Sequence, residues 1–376
     1  MPITLLSDLA DASACPRIVV KVGSSLLVAP DGVRRQWLGE LVAELAEARR
    51  RGQQVIVVSS GAIALGAARL GLEKGGRGSL ADAQAAAAVG QIALSSLWAE
   101  FLGECGYPAA QMLLTLEDLE DRRRYLNATA TLTRLLDAGA VPVINENDSV
   151  ATQEIRFGDN DRLAARVAQA VQASAVLLLS DVDGLYDRDP RQPGAKLLPL
   201  VRGVTPEIHA MASGASGSGM GSGGMTSKLQ AAQIAELAGI SLAIINGTRD
   251  NPISHALGTG TGTLFLPRRK AGARKAWLGG RLRLKGILLV DPGAEAALVR
   301  GSSLLAKGIT GVDGVFERGD PVAIVGASGA VVAHGLAEYG SGECAAIMGR
   351  HSNEHADLLG YAPRSAVIHR DQLVLK

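Results

Sequence analysis

Only four lysines occur in the first 265 residues, and two of them stand among glycine and small hydroxyl residues. Lys21 falls in Arg17-Ile-Val-Val-Lys-Val-Gly-Ser-Ser25, and Lys228 closes Gly219-Met-Gly-Ser-Gly-Gly-Met-Thr-Ser-Lys228. Arg outnumbers Lys about three to one over the chain, so a lysine in such surroundings points to a site that needs a compact charge on a flexible stem. Backbone N–H groups beside a lysine are what a polyphosphate needs. Lys228 also begins a helical pattern, Thr226–Leu237, where a cation opposes the helix dipole. A bound anion would offset that penalty. The formal G-x-G-x-x-G match, Gly219–Gly224, follows His209-Ala-Met-Ala and not a strand, so it is no dinucleotide fingerprint. No G-x-x-x-x-G-K-[ST] occurs, which removes the Walker-type NTPases.

A second group is acidic and amidic. Asn145-Glu-Asn-Asp148 and Gly158-Asp-Asn-Asp161 supply four acids and three amides within 17 residues. Three readings stand: two solvated loops, a cation site without EF-hand spacing, or recognition of a zwitterion, its ammonium by Asp and its carboxylate by amide donors. Ser180-Asp181, running into Gly184-Leu-Tyr186 and Asp189-Pro-Arg191, reads as a strand end entering a nucleotide-side loop. His351 and His355 lack the H-E-x-x-H order and read as structural or surface residues. No Ser/His/Asp or Cys/His arrangement stands out.

These residues need a scaffold, and the pattern supplies one. Strand-like runs at Ile18–Lys21, Val55–Ser60, Ala109–Leu114, Val141–Glu146, Val176–Asp181 and Leu242–Asn246 are mostly separated by helical patterns. Val33, Trp37, Leu38, Leu41, Val42 and Leu45 recur at helical spacing, with Gly52 placed to end that helix. Repeated βα units predict an α/β three-layer sandwich, a mostly parallel sheet with helices on both faces. Ligands then bind beyond the carboxyl ends of the strands. Lys21, Ser59-Ser60, Asn145–Asp148, Ser180-Asp181 and Asn246-Gly247 all fall there, so one shared pocket is expected.

The 376 residues predict two domains. Residues 1–16 read as a loose leader and 17–266 as the α/β domain. Residues 267–284 form a basic linker, within a stretch Leu266–Lys285 that carries eight Lys and Arg and no acid. Residues 285–363 read as a small β-rich, barrel-like domain, with 364–376 as a tail. Its expected strands are Gly286–Val290, Val322–Val325, Val331–His334, Ala345–Met348 and Ser365–His369. A formal charge of +1 gives no global pull toward nucleic acid or membrane. Three scattered cysteines without metal spacing read as a reduced compartment. No secretory signal or bilayer-length apolar run is apparent, so the expectation is a cytoplasmic protein.

Several motifs together carry a resemblance. Lys21-Val-Gly-Ser-Ser, Val58-Ser-Ser-Gly-Ala-Ile63, Ala88-Val-Gly-Gln91, Gln111-Met-Leu-Leu-Thr115 and Tyr125-Leu-Asn-Ala128 resemble the glutamate 5-kinase family in order and spacing. So do Val141–Asp148, Gly158–Asp161, Gly223–Gln230 and Gly262-Thr-Leu-Phe265. Arg300–Ile309 and Phe316–Asp320 look like the PUA domain appended to bacterial members. The resemblance covers about residues 17 to 371 and implies the amino-acid kinase fold with a PUA barrel-like domain.

It further implies that Lys21 and Lys228 hold the ATP phosphates, with Asp161 orienting both lysines. Ser60, Asn145, Asp148 and Asn160 would grip L-glutamate, Asp148 facing its ammonium. Ser180, Asp181, Ser222, Gly223, Gly224, Met225, Thr226, Ser227 and Lys228 would line the nucleotide site, with Mg²⁺ arriving on ATP. Ser227 and Ser180 stand where many relatives have Thr, and each keeps the hydroxyl. Feedback inhibition by proline and a homo-oligomeric state are family implications. RNA binding by the PUA-like region is a competing expectation. It is weakened by eight Lys and Arg against ten Asp and Glu from Lys285 to Lys376. A sibling kinase acting on another amino acid is the alternative within the enzyme class.

Overall fold

The computed structural model describes residues 2–29, 32–150, 159–213, 224–268, 284–364 and 366–375, with only the backbone for 122, 159, 213 and 371. The chain divides into two units, Met1–Lys270 and Ala271–Lys376. In the first, β1 (Arg17–Val22) leads through α1 (Ser24–Leu27) and the paired β2 (Val28–Ala29) and β3 (Gly32–Val33) into α2 (Arg35–Arg50). Next come β4 (Gln54–Ser59), α3 (Ala62–Leu70), α4 (Leu80–Glu104), β5 (Ala109–Leu114), α5 (Leu116–Glu120), α6 (Arg122–Asp137) and β6 (Val141–Glu146). Beyond lie α7 (Asp159–Ala170), β7 (Ala175–Ser180), β8 (Leu200–Arg202), α8 (Pro206–Ser213) and α9 (Gly224–Leu237). The unit ends with β9 (Ser241–Asn246), α10 (Pro252–Thr259) and β10 (Thr263–Leu266).

The strands form one sheet in the order β5-β6-β4-β1-β7-β9-β10-β8. Every described pairing in it is parallel except β9 with β10, which the sequence reading did not anticipate. Alternation along the strands explains the layers. Ile18, Val20 and Val22 pack with Trp37, Leu41 and Trp98 on one face. Val19, Ile56 and Val58 pack with Leu132, Leu163 and Leu229 on the other. Each face is therefore covered by helices, as period-2 side-chain direction in a doubly buried strand requires. Because the chain steps from β1 to β4 on one side and returns to β7 on the other, a crevice opens at the carboxyl end of β1.

Three expectations need correction. Residues 1–16 are no loose leader: Leu6–Ala10 form a 3-10 helix, with Leu6, Leu9 and Cys15 buried in the core of the first face. The Gln53 side chain clamps this segment by donating to the carbonyls of Leu9 and Cys15, both at 2.8 Å. A single short turn carries no periodic signal, which is why sequence reading passes over it. Next, α4 is long and apolar enough to cross a bilayer by length and composition. Its Ala86, Gly90, Leu94 and Trp98 are buried within the unit, so one face of the helix belongs to the core. Lastly, residues 364–376 are no appended tail, because they contribute a strand to the second unit.

That unit contains β11 (Gly286–Val290), α11 (Pro292–Val299), β12 (Ile309–Gly314), β13 (Pro321–Val325), β14 (Val331–Leu336), α12 (Ser341–Ile347), α13 (His355–Leu359) and β15 (Leu373–Leu375). Its sheet runs β12-β11-β13-β14-β15 around Leu288, Phe316, Ile324, Tyr339 and Ile347. The expected strand at Ala345–Met348 falls mostly in α12. There Glu343 accepts from the Gly340 amide at 2.8 Å, and Cys344 and Ile347 point inward at helical spacing. At 365–369 Ile368 forms an isolated bridge to Leu304, and residue 365 lies outside the described residues. Most of the basic segment, 269–283, does so as well.

Candidate active site

Lys21, near the end of β1, is followed by Gly23, where a Cβ would stand 3.8 Å from Lys21 Nζ; glycine leaves the space beside the ammonium open. Asp161 stands in the first turn of α7, and Lys228 opens the second turn of α9. These three side chains meet. Lys21 Nζ lies 2.7 Å from Asp161 Oδ1, and Lys228 Nζ lies 3.0 Å from Asp161 Oδ2. Asp161 is 1% exposed and both lysines 7%. One carboxylate thus serves two buried ammoniums, leaving a net positive charge in a place where water cannot fully compensate it. Burial pushes the Asp161 carboxyl upward, but the two ammoniums outweigh it and hold it below the usual carboxylate range. Burial also draws the Lys21 ammonium below the usual lysine range; Asp161 opposes that shift and the Lys228 charge adds to it.

Next to this ionic cluster lies a neutral chain of amides. Asn160 Nδ2 donates to Ser60 Oγ at 2.7 Å and to Asn145 Oδ1 at 3.1 Å. Asn145 Nδ2 in turn donates to Gln91 Oε1 at 2.8 Å. These four residues come from α7, the turn after β4, the end of β6 and the middle of α4. What lets α4 reach them is glycine. A Cβ on Gly90 would fall 1.8 Å from the Ala62 carbonyl oxygen, and one on Gly66 would fall 1.7 Å from that of Ala86. The two helices therefore touch backbone to backbone, which only glycine permits. Trp98, further along α4, donates to Ser59 Oγ at 2.9 Å and fixes the same strand end from below. Asp148 is buried, and its carboxylate acts on Arg77.

On the other side of β1, Ser180 Oγ donates to Asp181 Oδ1 at 3.1 Å, and Asp181 acts on Lys21 through space. Asp183 gathers the rim: Asn246 Nδ2 donates to it at 3.0 Å, Tyr186 Oη at 3.2 Å and Arg249 Nη2 at 3.4 Å. Gly224, Met225, Thr226 and Ser227 form the first turn of α9, with Ser227 buried beside Asp161 at 3.4 Å. Ser222 and Gly223, together with Gly158, lie outside the described residues.

The profile described as the amino acid kinase family matches residues 16–246, and that of the PUA domain matches residues 286–359. A glutamate 5-kinase of Novosphingobium aromaticivorans is 70% identical over 376 residues, covering 100% of each chain. The chain belongs to the glutamate 5-kinases of the amino acid kinase family. A glutamate 5-kinase of Sphingopyxis alaskensis is 62% identical, covering 96% of this chain and 98% of the other. That of Zymomonas mobilis is 56% identical, covering 96% and 91%. The amino acid kinase fold occupies the first unit and the PUA domain the second.

Of the residues the sequence singles out, Lys21, Asp161, Ser227 and Lys228 converge in this kinase, as do Ser60, Asn145 and Asn160. Sequence reading missed Gln91 as a partner of Asn145, along with Arg77 beside Asp148 and Asp183 at the rim. Gln91 stands in Ala88-Val-Gly-Gln91, whose glycine was the available signal of a close helix contact.

Proposed function

We propose that this kinase transfers the γ-phosphoryl group of ATP to the side-chain carboxylate of L-glutamate, giving L-glutamyl 5-phosphate and ADP, the first step of proline biosynthesis. The observation that carries this reading is the buried Lys21–Asp161–Lys228 cluster, whose surplus positive charge suits a polyphosphate meeting a carboxylate. A carboxylate is already a deprotonated nucleophile. Its oxygen forms the new bond to phosphorus while the bond to the β-bridging oxygen breaks, and no proton need move. The protein therefore needs no general base, and positioning with charge stabilisation does the work. On this proposal Lys21 and Lys228 contact the transferring phosphoryl group, and Asp161 keeps the ammoniums apart and aimed.

Ser60, Asn145, Asp148 and Asn160 bind glutamate, Asp148 facing the ammonium. Ser180, Asp181 and the first turn of α9 line the nucleotide side, together with Ser222 and Gly223. Among the described residues no three His, Cys, Asp or Glu converge. Mg²⁺ held on ATP would screen the phosphate charge. Proline inhibition, a homo-oligomeric state and a cytoplasmic location are proposed on the family resemblance.

Hydroxylamine trapping tests the reaction. ATP-dependent hydroxamate formation is expected with L-glutamate and not with L-aspartate or N-acetyl-L-glutamate. A signal with either of the latter would move the chain to a sibling acyl-phosphate kinase.

A further inference from the structure

An amide side chain is directional: its oxygen only accepts hydrogen bonds and its nitrogen only donates. In the chain described above, Gln91 Oε1 accepts from Asn145 Nδ2, which turns the Asn145 oxygen toward Asn160. Asn160 then directs its nitrogen to both Asn145 and Ser60. What remains is Asn160 Oδ1, a buried acceptor that takes no hydrogen bond among the described residues. A buried acceptor without a donor is disfavoured, so its natural complement is a ligand donor. L-Glutamate at neutral pH has one donor group, its ammonium; both carboxylates only accept.

We propose that Gln91 is a positioning residue for substrate selection: its carbonyl oxygen fixes the polarity of the Asn145–Asn160 chain so that Asn160 Oδ1 receives the substrate ammonium. Gln91 touches no reacting atom. It acts through Asn145, and it can do so because Gly90, its neighbour, lets α4 settle on the start of α3. Ser95, one turn on, lies 2.5 Å from the Gln91 carbonyl and 2.9 Å from Gln111 Oε1, tying this stretch of α4 to β5. With Gln91 replaced by an apolar side chain, Asn145 is free to reverse. Asn160 then reverses with it and offers a donor where an acceptor stood. The inference rests on the proposal that glutamate occupies this site.

The test uses the full chain and compares L-glutamate with glutarate, which lacks the ammonium. In the hydroxamate assay the KM for glutamate and the Ki for glutarate are measured, and the ratio of Ki to KM reads ammonium recognition. In Gln91→Met that ratio is expected to collapse about tenfold, with the KM for ATP unchanged, as loss of one charge-assisted hydrogen bond predicts. Gln91→Glu keeps an acceptor oxygen and is expected to hold the ratio within about threefold. Should the Met variant not fold, Gln91→Lys, which places a donor against Asn145, is expected to depress the ratio similarly. An unchanged ratio in Met or Lys overturns the proposal, and so does equal loss in Met and Glu, which would mean packing alone. Failure of the wild type to form glutamate-dependent hydroxamate would instead remove the substrate reading itself.

Discussion

The two halves of the cleft are built from different materials. On the lysine side, two ammoniums share one buried carboxylate through ionic contacts. On the amide side, Ser60, Asn160, Asn145 and Gln91 form a neutral relay in which each link has a fixed direction. Charge acts strongly but with little angular demand, which suits a group that moves during reaction. Amide hydrogen bonds are weaker but orientation-specific, which suits telling one amino acid from another. On the proposed function, power and selectivity would fall to separate sets of residues, and substitutions should separate them experimentally.

The sharpest break is Asp161→Asn. Two buried ammoniums would then face each other without the carboxylate they share. Loss of one partner from a buried ionic cluster costs about 3–5 kcal/mol. Turnover is expected to fall at least a thousandfold, with a lower urea midpoint; a stable, active variant would mean that the cluster is ornamental. Lys228→Ala should lower kcat by about 10²–10³, the scale of losing one stabilising group in a transition state, with the fold intact by circular dichroism. A near-normal rate would take Lys228 out of the catalytic set. On the other side of the comparison, Asp148→Ala should raise the KM for glutamate by about tenfold or more while that for ATP barely moves. Equal effects on both would argue against an ammonium contact.

Gly90→Ala tests the support and not the site. The new methyl would collide with the Ala62 carbonyl, so destabilisation of about 1–3 kcal/mol is expected, with the glutamate KM rising more than that for ATP. The smallest effect concerns pH. Burial depresses Lys21 in the free enzyme, so its ammonium loses its proton earlier than an ordinary lysine at about 10.4. The kcat/KM for ATP, which reports the free enzyme, should therefore fall at alkaline pH before that value. A profile flat to that point would contradict the shift. Asp161 acts at the acid end. Its depressed carboxyl contributes stability that is present above the ordinary aspartate range and lost as pH falls through its lower folded value.

The ionic half was far more legible in the sequence than the amide half. Scarce lysines beside glycine and serine betray Lys21 and Lys228, because each local segment carries its own chemical signature. The strand ends holding Ser60, Asn145 and Ser180 were equally readable, since period and punctuation are local properties. Gln91 was not, because its role depends on α4 reaching β6, and that approach is set by a glycine contact between two helices. Arg77 and the Asp183–Asn246 pair share this character: their meaning arises only when distant segments close. The antiparallel β10 and the packed residues 6–10 were missed for another reason, being too short to show a period.

The position of β1 also bears on how the molecule comes into being. It is made before every other described strand of this sheet, yet it lies in the middle, with β4 on one flank and β7 on the other. While the chain is being made, β4 arrives early, but the flank that will receive β7 stays open until residue 175 has emerged. Lys21 meets Lys228 later still. A half-made chain therefore exposes an apolar strand edge and has no assembled lysine–aspartate cluster, the circumstances in which long-range parallel pairing is slow and association between chains competes.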